Sequence, residues 1–128
     1  MIIEKNKELL CDFYDYITVD EVKRAFDILV GSACTQTHLK SYPQLKGVVR
    51  DFRFYADEKS QPFAFIINKT SLLFYLRLPA VKSARYELAK LRDIFPEIKE
   101  NNSGEWTIKI QDISDAQSIA TNILGLWR

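Results

Sequence analysis

The stretch Pro62 to Leu78, PFAFIINKTSLLFYLRL, constrains this chain more than any other. It reads as two β-strands joined by the tight turn Asn68-Lys69-Thr70-Ser71. Phe63, Phe65 and Ile67 alternate along the first strand, and Leu72, Phe74, Leu76 and Leu78 along the second. Side chains in a strand alternate faces with period two, so these residues can share one face of a sheet. The other face carries Ala64, Ile66, Leu73, Tyr75 and Arg77 and is apolar at its centre. A strand pair apolar on both faces is expected in mid-sheet with cover on both sides. The hairpin therefore bears on function as well as on fold, because a covered face cannot serve as a binding platform.

The remaining elements fall around this centre. Residues 3–16 read as a helix, with Leu10, Phe13 and Ile17 at helical spacing. Thr18 and Glu21 have the spacing of a capping box and open a second helix, whose stripe is Val22, Ala25, Phe26, Leu29 and Ala33. Residues 35–47, TQTHLKSYPQLKG, are irregular, since Tyr42-Pro43 and Gly47 interrupt any period. Val48 to Tyr55 reads as a strand with Val48, Phe52 and Phe54 on one face, interrupted by Arg50, and Asp51, Arg53 and Tyr55 on the other.

Pro79 suits the first turn of a helix over residues 80–95, with the stripe Ala80, Ala84, Leu88, Leu91 and Phe95. Asn101-Asn102-Ser103-Gly104 is a turn, and Trp106, Ile108 and Ile110 alternate inward along the strand after it. Ser114 and Gln117 form a second capping-box pair for a last helix running to about Leu126. The expected fold is a single α+β domain over residues 1–128 in the order ααβββαβα, with an antiparallel sheet of about four strands. The third and fourth helices are expected on one face, with the N-terminal pair on the other face or at an end. From the first strand onward the layout, together with Gly104-Glu105-Trp106, resembles the small α+β domains of the MmcQ/YjbR type. That family's His-Trp pairing is absent, because Glu105 precedes Trp106.

Composition narrows the function classes. A hydrophobic share of 47%, a charged share of 27% and a net charge of +1 fit an ordinary globular protein and give no whole-molecule field toward DNA or membrane. MIIEKNKELL lacks the apolar core of a signal peptide, so the cytoplasm is the expected location and no membrane contact is expected. Cys11 and Cys34 are then expected as buried thiols rather than a disulfide. His38 is the only histidine, which argues against a metal centre built from several imidazoles. Cys34 and His38 are four apart, but no orienting acid or glycine loop accompanies them as a nucleophilic pair would need. No phosphate-binding glycine motif or cofactor fingerprint occurs, so no catalytic residue, metal or cofactor is expected.

Two kinds of surface remain. The expected function is non-catalytic contact with another protein, as in a small immunity, inhibitor or regulatory protein of a bacterial system, through the acidic joint between the first two helices and the irregular loop. The residues are Asp12, Asp15, Asp20 and Glu21, with His38 and Tyr42. The acids would suit a basic partner such as a nuclease or toxin. The alternative is a nucleic-acid-binding module. Arg53, Tyr55, Tyr75 and Arg77 would form a stacking face, and Lys40, Lys46 and Arg50 would extend a basic stretch, with Lys82, Arg85, Lys90 and Arg92 lining the third helix. Half-apolar sheet faces are more often buried than open, so the N-terminal helices are expected to cover this one.

Overall fold

Strand register sorts the five phenylalanines of the strands onto one face. In the computed structural model, which describes residues 4–128, Phe52 lies beside Phe65, Phe65 beside Phe74, and Phe74 beside Ile108. One step along, Phe54, Phe63, Leu76 and Trp106 form a second such row. Ring centroids within this set are 5.1 Å apart for Phe52 and Phe65 and 5.8 Å for Phe63 and Phe74. A fully buried side chain of this size contributes about 1.5–3 kcal/mol, so these rows dominate the core.

The elements in chain order are α1 (Glu4–Tyr16), α2 (Asp20–Thr35), β1 (Lys40–Lys46), β2 (Val49–Tyr55), β3 (Phe63–Ile67), β4 (Leu72–Leu76), α3 (Leu78–Val81), α4 (Leu88–Ile94), β5 (Lys99–Glu100), β6 (Trp106–Ile110) and α5 (Ile113–Asn122). A 3-10 turn, Leu124–Leu126, follows. The fold is α+β, with a six-stranded antiparallel sheet in the order β1-β2-β3-β4-β6-β5.

The two strands beyond the expected four are both at edges. β5 is two residues long, too short to show any alternation. β1 runs through Tyr42-Pro43, read from sequence as an irregular loop. Gly47 has φ +64° and opens a two-residue turn, so Lys46 and Val49 flank the loop as a pair. Counting back from that pair, the backbone N–H groups of Lys40, Tyr42, Gln44 and Lys46 point at β2, while those of positions 41, 43 and 45 point away. Pro43 therefore occupies a position whose N–H would have faced away from the sheet, where proline is tolerated. Val48, expected on the inner face, sits in the turn and is 87% exposed.

The helix expected over 80–95 is two short helices. Ala84 has φ +64° and is exposed, so it does not belong to the buried stripe. The break lets Tyr86 turn inward, where its ring meets Phe63 edge-on and its hydroxyl donates to Ile123 O at 2.6 Å. Neither expected capping box forms. Thr18 instead points its hydroxyl at Lys69 O, and α2 has Val19 as its N-cap, with no side-chain cap. At α5 the reciprocal pair is Asp112 and Asp115: Asp112 Oδ1 accepts from Asp115 N, and Asp115 Oδ2 accepts from Gln111 N.

The N-terminal helices do not cover the second face of the sheet. Phe26 of α2 packs edge-on against Phe65, Phe13 of α1 belongs to the same core, and α2 lies against α5. All three helices share the phenylalanine face, and the face carrying Arg53 and Tyr75 keeps solvent access.

Candidate functional site

The open face is defined by the residues between the phenylalanines. In register across the sheet stand Gln44, Asp51, Ile66, Leu73 and Lys109, and beside them Tyr42, Arg53, Ala64, Tyr75 and Thr107. Ile66, Leu73 and Tyr75 at its centre are half-buried, whereas Tyr42 near the β1 edge is 40% exposed. The strands place an apolar centre among tyrosines and arginines.

Its charges are satisfied internally. Arg53 Nε and Nη2 both donate to Asp51 Oδ2 at 3.2 Å, and Arg53 Nη1 donates to Gln61 Oε1 at 3.0 Å. Arg77 donates from Nη1 to the same Gln61 oxygen at 3.0 Å and from Nε to Glu105 Oε2 at 3.1 Å. Asn101 donates to the other Glu105 oxygen, Oε1. Asp51 is 5% exposed, and its Oδ1 is buried without a hydrogen-bond partner. Tyr75 shares this face, and its phenol is pushed up first by burial and then by the negative charge of Glu105.

Toward the β1 edge, Tyr42 and Tyr55 meet at 5.7 Å with their planes 65° apart. Gln44 Nε2 donates to Tyr55 Oη at 2.8 Å, which fixes that ring. The two tyrosines line a groove of about 620 Å³ together with Thr37, His38, Leu39, Lys40, Ala56, Asp57 and Glu58. Asp57 Oδ1 accepts from Lys59 N and Ser60 N, both at 2.8 Å, so its carboxylate is held in the β2–β3 loop.

The structure divides the sequence-derived candidates into groups. Lys40, Tyr42, Arg53, Tyr55, Tyr75 and Arg77 share the open face, and His38 stands at its margin. Lys46 lies at the end of β1 beside the turn. Arg50 does not join Arg53: it points to the phenylalanine face, where its guanidinium carbon sits 3.6 Å from the centroid of Tyr16. The basic stretch therefore does not converge on one face. The cationic side of the third helix is likewise dispersed, with Arg85 over Trp127 and Lys90 paired with Glu87 at 3.6 Å. Asp12, Asp15, Asp20 and Glu21 are all exposed at the α1–α2 joint. The joint is tied to the β3–β4 turn, where Thr18 N and Oγ1 both donate to Lys69 O.

Cys11 and Cys34 are free and exposed, not buried as expected, because each falls on the solvent side of its helix. Cys34 and His38 line separate grooves. Among the described residues, no three His, Cys, Asp or Glu side chains stand close enough to hold a metal ion, and no helix is long and apolar enough to cross a membrane. Gln61, Gln44, Glu105 and Asp57 organise the open face and were missed from sequence. Only Glu105 carried a signal, its alternation with Trp106.

The class this arrangement defines is an α+β protein with helices on one side of an antiparallel sheet and the other side open. Comparison with protein-family models, with curated proteins and with solved structures finds no match. The layout shared with MmcQ/YjbR-type domains therefore has no family match behind it.

Proposed function

We propose that this is a small non-catalytic binding protein that acts through protein–protein contact, in the manner of an immunity, inhibitor or regulatory protein, and that the open sheet face is its contact surface. The observation supporting this reading is the internal pairing of Arg53 and Arg77. Both guanidiniums are held by Asp51, Gln61 and Glu105, leaving a face with an apolar centre, tyrosines and neutralised arginines. Tyrosine and arginine are enriched at protein interfaces, where charged groups are either paired or kept to the rim. A surface that binds nucleic acid needs cations free for phosphate, and the two arginines of this face are already engaged. The Pro43 edge of β1 disfavours strand addition, so the face rather than the edge is the docking element. The acidic joint around Asp15 and Asp20 adds a local field that would speed the approach of a basic partner.

The test compares immobilised wild-type protein with a Leu73→Glu variant, each exposed to the source proteome, and separately measures retention on single-stranded DNA at low and high salt. Capture of one protein species by the wild type, lost in Leu73→Glu, is the expected result. DNA retention that falls steeply with salt, with captured proteins unchanged by the substitution, would replace this reading with the nucleic-acid one.

A further inference from the structure

We infer that the groove lined by Tyr42, Tyr55, Asp57 and Glu58 receives a cationic side chain, an arginine or a lysine, from the protein partner. The inference rests on the protein-binding reading above and names the chemistry of one anchor within it.

Three features of the groove fit a cation. Tyr42 and Tyr55 both line it and pack edge to face, with centroids 5.7 Å and planes 65° apart. Ring faces attract cations through the quadrupole of the π-system, and sets of rings at steep angles are the usual receptors for ammonium groups. Asp57 and Glu58 line the same groove. Asp57 uses only Oδ1 for the two loop N–H bonds, and Oδ2 makes no hydrogen bond among the described residues. The groove is also preorganised: Gln44 holds the Tyr55 hydroxyl, and Ala56 N donates to Ser60 O at 2.9 Å to close the loop that carries both acids. Binding to a preorganised site avoids part of the ordering cost.

Lys40 and His38 line the groove as well and oppose the fit. Lys40 forms no ion pair with Asp57 or Glu58. Counted as formal charges in the same way as the chain's +1, the carboxylates of Asp57 and Glu58 outweigh the single ammonium of Lys40. Lys40 therefore acts as a counterweight that lowers affinity for a cation, which gives the inference a distinctive prediction.

The experiment titrates wild-type protein with tetramethylammonium chloride and with N-acetylarginine amide, following the ring resonances of Tyr42 and Tyr55 by NMR. Neopentyl alcohol serves as the uncharged probe of matching shape, and acetate as the anionic one. Both cations are expected to shift the two tyrosines saturably, with the alcohol and acetate weaker. Tyr42→Ala should weaken the cations about two- to fivefold. Glu58→Gln should weaken them too, and Lys40→Ala should strengthen them. The inference is overturned if the alcohol binds as well as the cations, if acetate binds better, if Lys40→Ala weakens cation binding, or if no probe moves either ring. Loss of partner capture in Leu73→Glu alongside any of those results would leave the sheet-face reading standing and remove only this anchor.

Discussion

Arg53 and Arg77 donate to the same atom, Gln61 Oε1, each at 3.0 Å. Arg53 lies in β2 and Arg77 just after β4, the two strands that flank β3, so one amide oxygen just before β3 ties both neighbours together across it. The carboxylates at either end, Asp51 and Glu105, turn the three side chains into a continuous polar ladder across the open face.

Removing the shared acceptor isolates its contribution. Gln61→Ala should destabilise the protein by about 1–2 kcal/mol, because two charge-assisted bonds are lost at partly solvated sites. Urea denaturation measures it. Arg53→Gln in the Gln61→Ala background should cost less than it does alone, since the two residues share one network.

The two classes of ion pair should behave differently. Asp51 is buried while Lys90 and Glu87 are exposed. Asp51→Ala should cost about 2–4 kcal/mol, because the partly buried Arg53 loses its carboxylate. Lys90→Ala should change stability by less than about 0.5 kcal/mol. Equal effects in paired denaturation curves would contradict the burial assigned to Asp51.

Tyr86 predicts an alkaline loss of stability. Burial, only partly offset by the nearby Arg85 charge, pushes its phenol well above the ordinary tyrosine range. The folded state therefore keeps a proton that the unfolded state releases above about pH 10, and stability falls with further rise in pH. Below the unfolded value both states are protonated and the contribution is fully present. Tyr86→Phe should lack this part of the decline and, having lost the bond to Ile123 O, should be about 1 kcal/mol less stable near neutral pH. Denaturation midpoints across the alkaline range read both effects.

Ala84 holds a left-handed backbone at φ +64°. This conformation costs a residue with a Cβ about 1–2 kcal/mol, and glycine avoids that cost but loses more entropy on folding. Ala84→Gly should therefore stabilise by about 0.5–1 kcal/mol in thermal or chemical unfolding. A stabilisation from Ala84→Pro instead would show that the residue is not left-handed.

Much of the architecture was legible from local pattern. The alternation of Phe63, Phe65 and Ile67 against Leu72, Phe74 and Leu76, and of Trp106, Ile108 and Ile110, reports the core face because the strand period is two whatever the neighbours are. The stripe of α2, Val22, Ala25, Phe26, Leu29 and Ala33, is legible for the same reason at helical spacing. β1 was not, because its existence depends on pairing with β2, and Pro43 is acceptable only where its missing N–H faces away from the partner strand. The break at Ala84 was hidden because the stripe from Ala80 to Phe95 continues through it, while the cause lies in Tyr86 reaching Ile123, far along the chain.

The candidate site divides in the same way. The sequence by itself determined that Arg53, Tyr55, Tyr75 and Arg77 share a sheet face, since alternation within each strand and short antiparallel connections are local facts. Whether that face is open was decided only by the tertiary structure. α1 and α2 could satisfy their own apolar stripes on either side of the sheet, and the choice rests on where the largest apolar area lies. The phenylalanine rows offered more surface to remove from water than Ala64, Ile66 and Leu73 did, so the helices gathered there. The other face, crossed by a ladder of paired charges, remained open to solvent.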